Sequence, residues 1–312
     1  MFKRTQGLSS ETRAPAEERQ IIQELRQKFG FKLKEILPLT TICKSTYEYH
    51  VHPKRPKYSD GALVSIIKMI KHYHPAFGYW TVTDDLRVKW HLKIDHKRVY
   101  RLMQANHLSA KVYNLRAGKY DSSKGPQGKK AQNRLHRRFM TDRPLQKVVT
   151  DISEFRYGTM SMKERVYLSP FKDLYGGVIL GYTITDRPLT SYVLAGLQQV
   201  INKRPNNLGY RMTIHSDQGI QYQSHAYRAA LKKQHIFQSM SRRGNCYDNA
   251  AMESFFHTMK VEMYFTHHYA TKAALIQAME TWIGYYNQKR DRHKLKGATP
   301  NAYWDSALKK IV

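Results

Sequence analysis

The sequence predicts a mixed α/β layer fold behind an all-helical first part, and three observations carry that prediction. Up to residue 144 apolar residues recur at helical spacing, in a stretch with 30 basic against 12 acidic residues. From residue 145 the segments LQKVVTDISEFRY, ERVYLSPFKDLY and GGVILGYTITD are rich in β-branched and aromatic residues, with turn signals between them. Beyond them helical and short strand-like segments alternate, the order of a layered α/β domain.

Residues 1–57 read as a helical arm. Its first helix, 16–29, carries Ile21, Ile22, Leu25 and Phe29 on one side and ends at Gly30. A second passes through Leu33, Ile36 and Leu37 before Pro38. The arm fits a small oligomerisation element, a DNA-contacting element or a loosely docked segment. The proline-broken stretch over 50–60 is a linker, and Asp60 is placed to cap the next helix, with Leu63, Ile66, Ile67 and Ile70.

A turn near Pro75–Gly78 leads to a helix from about Thr81. A third helix, in HLKIDHKRVYRLMQANHL, turns Val99, Leu102 and Met103 inward and Lys97, Arg98 and Arg101 outward. Three short helices with a basic last one suit a helix-turn-helix DNA-binding domain over 58–113, with a plain helical bundle as the alternative. Residues 114–144 form a basic connector, broken by Ser, Gly and Pro near 122–128. Lys129, Lys130, Arg137 and Arg138 follow, a positive strap suited to tracking a DNA backbone.

The core, 145–265, opens with three consecutive antiparallel strands joined at Gly158 and at Gly176–Gly177. A helix at 190–202, a strand RMTIHSD, a helix at 224–234 and a strand IFQSM follow. Helical segments at 247–264 and 271–287 lead into a C-terminal helical segment, 266–312.

The net charge of +29 suits a polyanionic partner, since basic proteins gain affinity for nucleic acid by releasing counterions from phosphates. Charge alone also fits a ribosomal or membrane-surface protein. No stretch approaches the roughly 18 apolar residues of a membrane helix, and the first twenty residues lack a signal-peptide core. The expectation is a cytoplasmic protein associated with the nucleoid and not with a membrane. Cys43 and Cys246 fit no metal-binding spacing.

Against this basic background three acids stand out. Asp151 interrupts the apolar run VVTDIS, where a carboxylate is costly unless paired or metal-bound. Asp217 follows the strand RMTIHS, at the carboxyl end where α/β sheets place their sites. Glu253 lies on a helix with Asn249 and Lys260 at spacings that share one face. Together the three suit hard divalent cations, Mg2+ or Mn2+, two of which activate an attacking oxygen and stabilise a leaving one. Lys260 would then meet a DNA phosphate and Asn249 would support the ligands, while His215 would order a ligand, contact DNA or, more in keeping with its place, serve the structure. Met252 and Phe256 read as core, and Asp173 as structural.

TDIS around Asp151, HSDQGIQYQS around Asp217 and SRRGNCYDNAAMESFFHTMKVE around Glu253 resemble the signatures of bacterial insertion-sequence transposases with a retroviral-integrase-like core. The 35 residues between Asp217 and Glu253 agree with that family, and the resemblance spans roughly residues 50–305. It implies a ribonuclease H-like fold and a catalytic triad of Asp151, Asp217 and Glu253 holding two metal ions. It implies cleavage at element ends that leaves a 3′-hydroxyl, which then attacks another phosphodiester. It also implies a second-reading-frame product that acts as a homo-oligomer on transposon-end and target DNA, alone or joined to an upstream-frame partner. Val148 stands where many relatives carry tryptophan, and Trp80 where an arginine usually follows Gly78–Tyr79. A non-catalysing DNA-binding regulator and a ribonuclease H-like nuclease are the alternative functions.

Overall fold

The computed structural model describes residues 15–51, 57–110, 128–206, 208–242 and 245–310. Residues 52–56 of the proline-broken linker, and 111–127 with most of the Ser/Gly/Pro break of the connector, lie outside these residues. The chain divides into two compact units, one ending at Ala62 and the other running from Leu63.

The first unit holds α1 (Pro15–Phe29), α2 (Leu33–Ile36), a 3-10 turn and α3 (Lys44–Val51). Ile22, Ile36, Ile42 and Tyr47 form its core. Glu18 accepts hydrogen bonds from the Thr41 backbone and hydroxyl at 3.0 and 2.8 Å, and Arg26 donates to the Tyr47 hydroxyl at 3.2 Å. So small a core covers only a narrow strip of α1. Ile21 and Phe29, expected inside, are therefore 37% and 50% exposed. Gly30 ends α1 at φ 70°, its N–H on the Arg26 carbonyl. The sequence reading missed α3 because KSTYEYHV buries only Tyr47 and shows no apolar spacing.

Three helices follow, α4 (Asp60–Tyr73), α5 (Tyr79–Val88) and α6 (His96–Ala105). The cap of α4 is Ser59 and not Asp60: the Ser59 hydroxyl accepts from the Ala62 N–H at 3.2 Å. On α6, Asp95 accepts from the Lys97 N–H, and Val99, Leu102 and Met103 are buried as expected.

The second unit is built on one six-stranded sheet. Its strands are β1 (Lys147–Thr150), β2 (Ser153–Arg156), β3 (Arg165–Asp173), β4 (Ile179–Thr185), β5 (Thr213–Ser216) and β6 (Phe237–Met240). β3 pairs antiparallel with β1, β2 and β4, while β1–β5 and β5–β6 are parallel. The segment expected as one first strand is two. Its register is continuous, Thr150 opposite Phe171 and Ser153 opposite Leu168, so the interruption falls at Asp151, opposite Pro170. Proline brings no N–H to a ladder. Gly158 at φ 55° and Gly176–Gly177 at φ 73° and 76° turn the two hairpins where expected.

Helices cover both faces, as period-2 alternation of apolar residues requires. Val149, Phe155, Val166 and Leu168 face α10 (Ala250–Met259) and α11 (Lys272–Gln288), reached after α7 (Thr190–Asn202), α8 (Ile220–Gln223) and α9 (His225–Lys233). Val148, Phe171 and Ile214 face α7, α9 and Trp304 of α12 (Pro300–Leu308). The expected helix over 247–264 is three pieces: a 3-10 turn, α10 and a π-helical turn at Lys260–Tyr264. The described end of the connector is packed: Leu135 is buried, the Arg134 N–H donates to Ser239, and the Gln132 carbonyl accepts from Met240. Among the described residues no helix is long and apolar enough to cross a membrane.

Asp173 closes this frame. Its buried carboxyl accepts from Leu145 N–H at 2.6 Å, Trp304 Nε1 at 2.7 Å and Tyr175 N–H at 2.9 Å, joining β3 to the strand entry and to α12. Burial pushes it up to about 7 against those three donors. Asp173→Ala leaves them unpaired, at about 1–3 kcal/mol each, so urea unfolding should lose several kcal/mol, and Asp173→Asn less.

Candidate active site

The parallel pairing of β1 with β5 sets the geometry of the site. Val149 stands opposite His215. Two residues further on, each just past the carboxyl end of its strand, lie Asp151 and Asp217, close enough for the second to act on the first. Asp151 accepts from its neighbour Ile152 N–H at 2.8 Å, and Asp217 from Gly219 N–H at 2.9 Å. A Cβ on Gly219 would lie 3.0 Å from the Asp217 oxygen, so a side chain there would press on that carboxylate.

The Asp151 carboxyl is pushed well above its ordinary value, first by burial, then by Asp217 and by Glu253. The Ile152 N–H and Lys260 pull the other way. Beneath the pair, the buried Tyr222 hydroxyl lies 3.3 Å from Thr150, and burial together with both aspartates raises the phenol. Glu253 is exposed on α10, near enough to act on Asp151. Among the described residues no three His, Cys, Asp or Glu side chains gather closely enough to hold one ion. Asp217 and, to a smaller extent, Glu253 nevertheless lie near enough to act on Asp151.

Lys260 opens the π-helical turn and reaches back to the sheet, its Nζ 5.1 Å from the Phe155 ring centroid. Burial lowers its ammonium, while Glu154 and Asp151 support it. The helical-wheel face of Asn249, Glu253 and Lys260 does not form, because Asn249 belongs to the 3-10 turn. Asn249 is buried while Glu253 is exposed. Both polar atoms of the Asn249 side chain lack a partner among the described residues. His215 bonds the hydroxyls of Ser239 and Ser241 at 2.8 and 3.1 Å, and burial depresses it to about 4. It is a neutral tie between β5 and the end of β6.

The sequence matches known protein families over most of its length. The Integrase core domain family matches residues 141–246 and a second family of that description residues 234–300, while the HTH-like domain family matches 58–116. The chain is 37% identical over 286 residues to the putative transposase InsK for insertion sequence element IS150 of Escherichia coli, covering 91% of this chain and 96% of that protein. This chain belongs to the insertion-sequence transposases with an integrase core. An uncharacterized transposase-like protein of Haemophilus influenzae is 38% identical over 70% of the chain and 96% of its own length. Transposase InsF for insertion sequence IS3A is 31% identical over 57% of the chain and 60% of its own length.

In this transposase the basic residues expected on DNA are placed differently from one another. Lys97 and Arg101 are exposed on α6, with Arg98 half-buried between them. Lys129, Lys130 and Arg138 are exposed, Arg138 donating to the Leu135 and Arg134 carbonyls. Trp80 lies between His96 and His293, ring centroids 4.1 and 4.2 Å away, so it joins α5 and α6 to the turn before α12.

Arg137 is engaged elsewhere, at an acid the sequence reading missed. Asp248, fully buried, accepts from Asn133 Nδ2 and Arg137 Nε at 2.9 and 3.0 Å. It also accepts from Arg242 through the backbone N–H, Nε and Nη2, at 2.9–3.0 Å. The signal was present in SRRGNCYDN, an acid shortly after two arginines. The Arg242 hydrogen bond, the largest influence, holds Asp248 well below the usual carboxylate range. The acid is buried but the arginines are 59% and 47% exposed, so Asp248→Ala should cost roughly 2–3 kcal/mol, between a surface pair and a buried one. A depressed folded pKa stabilises fully above the unfolded value of about 4. The gap in melting temperature from wild type should therefore close as pH falls below that.

Proposed function

We propose that this transposase cleaves DNA at the ends of its insertion sequence and joins the freed 3′-hydroxyl to a second phosphodiester. Asp151, Asp217 and Glu253 would be the catalytic acids and the ligands of two divalent ions, Mg2+ or Mn2+. The observation that carries this reading is the shared register of Asp151 and Asp217, which holds two carboxylates together at the ends of parallel strands. The donor set suits a hard cation: it is all oxygen, and burial, with repulsion from Asp217 added, raises Asp151, a strain that positive charge would relieve. Bound ions supply Lewis-acid polarisation of the attacking and leaving oxygens.

The chain's own residues do the rest. Water attacks phosphorus at the element end, the bond to the 3′-oxygen breaks, and that oxygen takes a proton as the new 3′-hydroxyl. In the second step this hydroxyl loses its proton and attacks a target phosphodiester, and the target's own 3′-oxygen leaves. Lys260 would hold a phosphate beside Asp151, and Asn249 and His215 would support the acids from behind. Residues 58–113 would form the DNA-binding domain, with Lys97, Arg98 and Arg101 on DNA. The connector over 114–144 would add Lys129, Lys130, Arg137 and Arg138. Residues 145–265 would be the catalytic core, with 1–57 and 266–312 as helical flanks. The partners would be transposon-end and target DNA and further copies of the chain, with or without an upstream-frame segment.

Labelled element-end DNA with Mg2+ tests the chemistry: Asp151→Asn, Asp217→Asn and Glu253→Gln should each abolish cleavage and joining while end binding persists. Full activity in any one of them would remove that acid from the site. For DNA contact, Lys97→Ala and Arg101→Ala should each weaken binding. Each should also flatten the slope of log affinity against log salt by about 1; an unchanged slope would place α6 off the DNA.

A further inference from the structure

Lys172 is a buried lysine that the proposed chemistry leaves unused. It sits on β3 opposite Val149, two residues before Asp151 on the neighbouring strand, and is 6% exposed. Its side chain crosses to α10. There Nζ donates to the Ala251 carbonyl at 3.1 Å and lies 5.7 Å from the Phe255 ring centroid. Residues 251 and 255 are one helical turn apart, so a single ammonium grips the first turn of α10 at two levels.

The surroundings of Lys172 oppose a charge there. Gly177, at φ 76°, has no side chain, and a Cβ there would lie 2.2 Å from an Arg292 nitrogen and 3.4 Å from Lys172 Cε. Arg292 is held in turn by the Tyr286 hydroxyl and the Gly176 carbonyl. Among the described residues no carboxylate is paired with Lys172. Burial first, then Arg292, Lys294 and Arg290, lower its amine to about 7. A methionine would fill the same space without that penalty, so the polar contact itself is the reason to look for a role.

Glu253 lies between the two gripped residues, on the outer side of the same turn. We propose that Lys172 is a positioning residue for Glu253, fixing the rotation and axial placement of the first turn of α10 against Asp151 and Asp217. The proposal rests on the reading of Glu253 as a metal ligand. Sliding or rotating that turn would break both the Ala251 hydrogen bond and the Phe255 contact, and would carry Glu253 away from the aspartates. Lys172 touches none of the reacting groups, so its effect passes through the helix.

The test titrates Mn2+ into the full chain, followed by electron paramagnetic resonance, for wild type, Lys172→Met, Lys172→Arg and Glu253→Gln. Lys172→Met should weaken Mn2+ binding roughly 10–100-fold, the usual effect of losing support behind a ligand. Lys172→Arg, which keeps a charged donor, should recover part of it. Hydrogen exchange should quicken over 250–256 in Lys172→Met and stay unchanged over 193–200 in α7. Unchanged Mn2+ affinity in Lys172→Met beside a weakened Glu253→Gln overturns the positioning role and leaves the ligand set standing. Unchanged affinity in Glu253→Gln removes Glu253 from the ligand set, and the proposal with it. Faster exchange throughout the core in Lys172→Met makes the lysine a general support and overturns the proposal.

Discussion

Two carboxylates held side by side repel each other, and the parallel pairing of β1 with β5 holds Asp151 and Asp217 in that arrangement. Neither can retreat along its strand, because the strands are pinned on both sides. Val148 and Val149 are fully buried on opposite faces of the sheet, and burying each such side chain contributes about 1.5–3 kcal/mol. A one-residue slip would exchange the faces and bring both valines into the wrong core. The hydrophobic layers therefore maintain an electrostatic conflict that the isolated strands would relax.

The excess of positive charge divides into two populations with different work. Lys97, Arg101, Lys129 and Lys130 are exposed, as a surface facing a polyanion requires. Lys172 and Arg290 are largely enclosed by the protein, while Arg137 and Arg242, still about half exposed, donate to the buried Asp248. Arg290 grips Glu262 through two nitrogens, at 2.6–3.1 Å, and ties the π-helical turn to the end of α11. Net charge predicts the partner but does not say which cations meet it; that depends on which acids the fold has already buried beside them.

Much of the frame was legible because it follows from periodicity. The β-rich run, the two glycine turns and α7 and α9 lie where alternation and turn chemistry put them. α3 was hidden by its polar composition. The break between β1 and β2 was hidden because it arises across the sheet, from Pro170 on another strand. Of the candidate site, Asp151 and Asp217 were legible as acids where a strand leaves none unexplained. Asn249 was misplaced because a 3-10 turn does not obey the helical wheel. Asp248 was overlooked although Arg242 stands only six residues before it, because its other partners, Asn133 and Arg137, are more than a hundred residues away.

These partners give the third acid its context. The two aspartates are fixed by strand pairing, whereas Glu253 depends on where the start of α10 rests. Asp248 binds the loop just before that helix to Arg242 and to the connector, and Lys172 binds its first turn to β3. Met252, Phe255 and Phe256 press the rest of the turn into the core. The helix end that bears Glu253 is thus held from the loop, from the sheet and from the core. Glu253 itself is exposed there, near enough to act on Asp151.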